Sequence, residues 1–175
     1  MAVDVFTVKI MDSSEEALTE IARCYGRVWG GGEDVFLERL KRHRTYEGFL
    51  GIAAYTNEKQ LAGFAYGYTS EKGQYYRTLL ELALTQEQSE YWLKDCFEFV
   101  ELAVENSYRG MGIGKELAES LLNRAEQKTA VLTTQSDNVS AVHLYDNLNW
   151  TTLHEHFLPT ADSSLPYVIM GKVLS

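Results

Sequence analysis

Phe97-Glu98-Phe99-Val100-Glu101-Leu102-Ala103-Val104-Glu105-Asn106-Ser107-Tyr108-Arg109-Gly110-Met111-Gly112-Ile113-Gly114-Lys115 is the stretch that decides the reading of this chain. Its first eight residues are largely apolar and read as a strand, Glu105 to Ser107 as a short loop, and the glycines as the opening of a helix. The helix is expected from about Gly112 to Gln127, because Ile113, Leu117, Leu121, Leu122 and Ala125 share one face while Lys115, Glu116, Glu119 and Asn123 fall off it. Its N-terminus therefore lies among the glycines. The first N–H groups of a helix have no acceptor within it, and the dipole adds positive potential there. Glycine in turn lets a bulky anion approach the backbone closely.

Spacing narrows the anion. A nucleotide P-loop needs GxxxxGK followed by Ser or Thr, but Arg109 stands where its first glycine belongs and Glu116 follows Lys115. The dinucleotide fingerprint GxGxxG needs a glycine where Lys115 stands, and it opens a βαβ unit, whereas this stretch lies mid-chain. The net charge of −9 argues against nucleic acid and anionic membrane surfaces as partners, so an anionic ligand must be held by a local device of this kind.

Working outward, Val3 to Ile10 reads as a strand. Ser13 with Glu16 suggests a capping box ahead of Ala17, Leu18, Ile21, Ala22 and Tyr25 at helical spacing. Trp29-Gly30-Gly31-Gly32 interrupts the pattern, and Val35, Phe36 and Leu40 predict a second helix ending near Gly48. Phe49 to Tyr55 and Leu61 to Tyr68 read as a hairpin, followed by an aromatic-rich, partly helical insertion at about 70–93. The second half continues with a strand at Ala130 to Thr134, a helix at about Val139 to Leu148, and strands at Trp150 to Phe157 and Tyr167 to Leu174. The loop between those last strands holds Pro159 and Pro166.

A chain of 175 residues, 45% hydrophobic and 23% charged, is expected to form one globular domain over residues 1–175. The sequence has no long apolar run and no secretory N-terminus, so a cytoplasmic location is expected. Cys24 and Cys96 are widely separated and outside any CxxC, which predicts reduced, structural thiols. His154 and His156 alternate onto one strand face, but no third ligand has suitable spacing, so no metal is expected.

Two motifs together carry a resemblance. Arg109-Gly110-x-Gly112-x-Gly114 directly after a strand resembles the acetyl-CoA pyrophosphate loop of the GNAT N-acetyltransferases. Asn138, Ala141, Leu144-Tyr145 and Leu148-Asn149-Trp150 are similar to that superfamily's Asn-x-x-Ala-x-x-Leu-Tyr-x-x-Leu-Gly-Phe signature, with Asn149-Trp150 in place of Gly-Phe. The resemblance implies a mixed α/β (α+β) fold. Its core would be a twisted, splayed, mostly antiparallel sheet of about seven strands flanked by about four helices. It implies acetyl-CoA as cosubstrate and a small-molecule or peptide amine as acceptor, and it leaves a homodimer open. By resemblance, the backbone of Leu102, Ala103 and Val104 faces the acetyl and pantetheine portion. Gly110, Met111, Gly112, Ile113 and Gly114 cradle the pyrophosphate, and Tyr145 lies near the sulfur as the acid that protonates the departing thiolate.

The residues themselves leave several roles open. Glu101 is an acid in an apolar strand, where burial raises a carboxyl pKa towards neutrality and makes a usable base. Equally, it could pair with a basic neighbour, and Glu98 or a water could serve instead. The apolar alternation shifts phase between Phe99 and Val100, as a β-bulge would produce, although a strand buried on both faces reads the same way. Tyr145 shares a helical face with Ala141 and Leu148, which core packing also explains. Asn138 suits a helix cap or a bond to the pantetheine arm. Arg109 and Lys115 are placed to touch phosphates or simply to be solvated. Trp29, Tyr66, Tyr68, Tyr75, Tyr76 and Trp92 could line a pocket for a cationic amine or belong to the core. The expected reaction is direct transfer of acetyl to a primary amine in a ternary complex. The alternatives are a non-catalytic CoA-binding module of the same fold and, least supported, an interaction protein whose glycines only permit close packing.

Overall fold

The computed structural model describes residues 6–160 and 164–174. Its helices and strands follow the order β1 (Thr7–Ile10), α1 (Glu15–Trp29), α2 (Glu33–His43), β2 (Leu50–Tyr55), β3 (Leu61–Thr69), α3 (Tyr75–Ala83), α4 (Gln86–Trp92), β4 (Cys96–Val104), α5 (Ile113–Arg124), β5 (Thr129–Gln135), α6 (Val139–Asn147), β6 (Thr151–Phe157) and β7 (Tyr167–Val173). A single 3-10 turn, Asn106–Tyr108, lies between β4 and α5. The seven strands are hydrogen-bonded in the order β1-β2-β3-β4-β5-β7-β6. The mixed α/β architecture and the strand number are those expected. There are six α-helices among the described residues rather than about four, because the 70–93 stretch supplies two of its own, α3 and α4. The predicted strand residues 3–5 and loop residues 161–163 lie outside the described residues.

The chain forms two compact units. One contains the chain up to Tyr68 together with Val100–Ala125, and the other contains Thr69–Phe99 and the chain from Glu126 onward. In the first unit, antiparallel β1, β2 and β3 pack Phe64, Tyr66 and Ala53 against Leu18, Ile21, Ala22 and Cys24 of α1 and Phe36 and Leu40 of α2. The amphipathic stripe of α1 drives this packing, since those residues recur at helical spacing and are almost wholly removed from water. Its cap is Ser14, whose side chain accepts from the Ala17 N–H at 3.2 Å. The expected capping box at Ser13 is therefore corrected by one residue: Asp12 Oδ1 takes the Ser14 N–H, and that turn makes Ser14 the residue with extended backbone. Helix α1 stops where Gly30 takes φ +77, a conformation that glycine adopts without strain. Helix α2 ends at His43 rather than near Gly48, in a tight turn closed by Tyr46 N–H to the His43 carbonyl at 3.0 Å.

In the second unit, β4 runs parallel to β5 with Cys96, Phe97 and Glu98 opposite Thr129, Ala130 and Val131, and β7 pairs antiparallel with both β5 and β6. The parallel ladder thus covers three of the nine β4 residues, and the phase shift between Phe99 and Val100 falls just past its end. Leu80 and Leu84 of the α3 region, Leu93, Val131, Phe157 and Ile169 make the core. Gly171 is required here: a Cβ on it would lie 2.7 Å from the Trp92 ring. Irregularities on both sides of His154 break the alternation expected to align it with His156.

Candidate active site

The helix opening is built as the glycines suggest. Arg109 is extended, Gly110 has φ +80, and Gly112, with φ +81, is the residue from which α5 starts. The first helical bond runs from the Glu116 N–H to the Gly112 carbonyl at 3.1 Å, so the N–H groups of Ile113, Gly114 and Lys115 precede the ladder. No side chain caps this end. Gly110 and Gly112 are needed for their backbone angles rather than for room, since a Cβ at either would meet nothing within 4 Å. Lys115 is exposed in the first turn, and Met111 is also exposed, whereas Ile113 anchors the turn in the core at 3% exposure. Arg109 Nε donates to the Val104 carbonyl at 3.3 Å, which ties the loop back to the end of β4.

The strand leading into this loop is approached closely by β3. A Cβ on Gly63 would sit 2.7 Å from the Ala103 carbonyl oxygen, and Glu105 N–H donates to the Ala62 carbonyl at 2.8 Å. Ala103 is buried, while Leu102 and Val104 remain partly exposed. Glu105 also receives Arg27 Nε at 2.5 Å.

Glu101 stands on this strand in the same unit. Burial pushes its carboxyl up to about 7, against the opposing pull of the Arg39 guanidinium, a hydrogen bond from the Trp29 indole and one from the Leu102 backbone N–H. A carboxyl in that range is half ionised near neutral pH and can accept a proton from an ammonium. Glu98 is 3% exposed and belongs to the second unit, opposite Val131. The thiols are poor nucleophiles. Burial, with the Glu105 carboxylate beside it, pushes Cys24 up to about 12, and burial with Glu98 does the same to Cys96.

In the second unit Tyr145 is 6% exposed and makes edge-to-face contacts with Phe99 (6.0 Å) and Trp150 (5.8 Å). Asn138 caps α6, its Oδ1 accepting from the Ala141 N–H at 3.2 Å. The helix ends in a Schellman turn, with Trp150 N–H to the Tyr145 carbonyl at 3.0 Å and Asn149 N–H to Asp146 at 3.2 Å. Asn149 supplies the left-handed residue at φ +68, which explains how asparagine replaces the usual glycine of the signature. Trp150 then packs on Tyr145 as the apolar contact of that turn.

The six aromatics considered for an amine pocket divide between the two units. Tyr66 and Tyr68 are core residues of the first unit, and Trp29 is 47% exposed at the end of α1. In the second unit Tyr76 and Trp92 pack on the core, while Tyr75 is 70% exposed. Arg39 went unremarked from sequence, although a signal existed: it lies between Phe36, Leu40 and His43 on the apolar face of α2, where an arginine is out of place. Among the described residues no group of three or more His, Cys, Asp or Glu could hold a metal ion, and no helix is long and apolar enough to cross a membrane.

Comparison with known proteins identifies relatives in sequence and in fold. Over 79 residues the chain is 30% identical to the ribosomal-protein-bS18-alanine N-acetyltransferase of Escherichia coli K12, a match that takes in 42% of this chain and about half (53%) of the relative. The solved E. coli ribosomal-protein-S18-alanine N-acetyltransferase has the same fold, with TM-score 0.69 at 20% identity over 98% of this chain and 95% of that one. So does yncA from Salmonella typhimurium, solved with its cofactor acetyl-CoA, with TM-score 0.69 at 14% identity over 98% and 95%. The acetyltransferase (GNAT) family matches residues 15–150, well over half of the sequence, and the chain belongs to that family.

Proposed function

We propose that this protein transfers an acetyl group from acetyl-CoA to a primary amine, by direct attack within a ternary complex, and that its two units work as one N-acetyltransferase domain. The observation that carries the reading is local to the first unit: a helix N-terminus opened by two left-handed glycines follows, after one short loop, on a strand that bears a carboxyl poised at about 7. Backbone N–H groups of Ile113, Gly114 and Lys115 would hold the pyrophosphate, with Arg109 and Lys115 adding charge. The backbone of Leu102, Ala103 and Val104 would run alongside the acetyl and pantetheine portion, and the Asn138 amide N–H group would serve the pantetheine arm.

In the reaction, Glu101 takes a proton from the acceptor ammonium, directly or through a water. The freed nitrogen lone pair attacks the thioester carbonyl carbon, the C–S bond breaks, Tyr145 gives its hydroxyl proton to the leaving sulfur, and the proton that the nitrogen sheds on becoming an amide returns through solvent to the Tyr145 phenolate. The acceptor of the bacterial relative is an alanine of a ribosomal protein, which supports a peptide amine as the class to try first, with small-molecule amines beside it. The test is a calorimetric titration of acetyl-CoA, with ATP and NAD as controls, into the protein and into the Arg109→Glu, Gly112→Asp double variant. Selective micromolar binding, about −8 kcal/mol, that the variant loses is the expected result. Folded protein that binds no acetyl-CoA would refute the reading.

A further inference from the structure

We propose that Arg27 is a positioning residue for the cofactor loop: its ion pair with Glu105 cancels an acid at the entrance to the α5 anion site and keeps that acid off Arg109. The inference rests on the opening of α5 being the pyrophosphate site. Arg27 lies in the last turn of α1, and its Nε donates to Glu105 Oε1 at 2.5 Å, across 78 residues of sequence. The two partners differ in their surroundings. The Glu105 side chain keeps 14% of its exposure against 53% for Arg27, so the carboxylate is the group that has given up water and depends on the pair. The Cys24 thiol beside it does not share the charge, because burial and Glu105 itself push that thiol up to about 12 and keep it protonated. Glu33, the acid that α2 brings to α1, stands 4.0 Å from Arg23 instead.

Glu105 is held at three points where β4 gives way to the loop. Its N–H donates to the Ala62 carbonyl of β3 at 2.8 Å, its carbonyl accepts from the Tyr108 N–H at 2.9 Å, and its carboxylate is taken by α1. Tyr108 in turn donates its hydroxyl to Gln60 Oε1 at 3.3 Å and meets the Phe6 ring edge-on at 5.8 Å. The next cation along the chain is Arg109, whose Nε binds the Val104 carbonyl, the peptide that leads into Glu105. From Glu105 to Lys115 the chain carries one acid and two bases, and Glu116 beyond them is exposed to water. With Glu105 engaged by Arg27, both bases are left for an anion. Without Arg27, a desolvated carboxylate stands at the start of the loop, where it repels a phosphate and competes with it for the Arg109 guanidinium. In a chain of net charge −9, such a local excess of positive charge is what an anionic ligand has to find.

The test is acetyl-CoA binding by calorimetry in about 50 mM and about 500 mM KCl, each variant compared with the wild type at the same salt. Arg27→Gln should bind about tenfold more weakly than the wild type at the lower salt and within about threefold of it at the higher, because ions screen a like-charge repulsion. Arg27→Lys and the neutral double variant, Arg27→Gln with Glu105→Gln, should stay within about threefold of the wild type at either salt. A merely structural loss would weaken binding by one factor at both salts, and removing a second charge would not restore it. Unchanged affinity in Arg27→Gln, a defect that salt leaves untouched, or a double variant as weak as the single one overturns the proposal. If Arg27→Gln does not fold, Glu105→Gln alone decides: binding as tight as the wild type or tighter is expected, and weaker binding refutes the proposal. Wild-type protein that binds no acetyl-CoA defeats the pyrophosphate site itself, whereas wild-type binding beside an unaffected Arg27→Gln defeats only the role of Arg27.

Discussion

Replacing Glu101 by glutamine should make the protein more stable and inactive at once. The carboxyl is raised from 4.5 to about 7 by burial in the folded protein. A raised pKa means that the ionised form is penalised on folding. Stability is fully present below the unfolded value, declines as the pH rises from about 4.5, and has lost the whole amount once the pH passes the folded value near 7. Each pH unit of displacement costs about 1.4 kcal/mol, so the ionised glutamate costs about 3 kcal/mol above pH 7. Glutamine matches the protonated acid in shape and charge and carries no such cost. The variant should equal the wild type near pH 4.5 and exceed it by about 3 kcal/mol at pH 8, which for a protein of this size is roughly 10 °C in the melting temperature. Thermal unfolding of both proteins at pH 5, 6, 7 and 8 measures the difference, and thiol release from acetyl-CoA measures activity. A stability difference that does not grow with pH, or a variant that is less stable at pH 8, would refute the assignment of Glu101 as a desolvated carboxylate.

Two further substitutions probe the second unit. Tyr145→Phe keeps the ring contacts to Phe99 and Trp150 and removes only the hydroxyl; kcat for CoA release should fall about 100-fold, with the unfolding free energy changed by less than about 2 kcal/mol. Asn149→Val forces a β-branched residue into the φ +68 position that ends α6 and should cost about 1–2 kcal/mol in urea unfolding, while Asn149→Gly should stay within about 0.5 kcal/mol of the wild type.

Local patterns were legible in the sequence wherever one segment's chemistry decides its structure. The stripe of α1, the glycine stop after Trp29, the 61–69 strand and the glycine-opened start of α5 follow from periodicity and from backbone angles that glycine adopts without strain. The same holds for the Asn138 cap and the order of the strands and helices that bears the family's signature. Boundaries shifted by a few residues, as at Ser14 and His43, because side chains several positions away compete for the terminal N–H and carbonyl groups.

Tertiary structure alone decided what surrounds each polar group. Glu101 could have paired on the surface, and its carboxyl is poised near 7 only because the fold desolvates it. Arg39 lies over the Phe36 and Tyr25 rings, 5.3 and 6.0 Å from their centres, a placement that the packing of α1 on α2 decides. The aromatic residues that looked alike in sequence were sorted into core and surface by the same packing. A residue's type and spacing specify which hydrogen bonds and angles it prefers, whereas desolvation and through-space charge depend on neighbours that are distant in the chain.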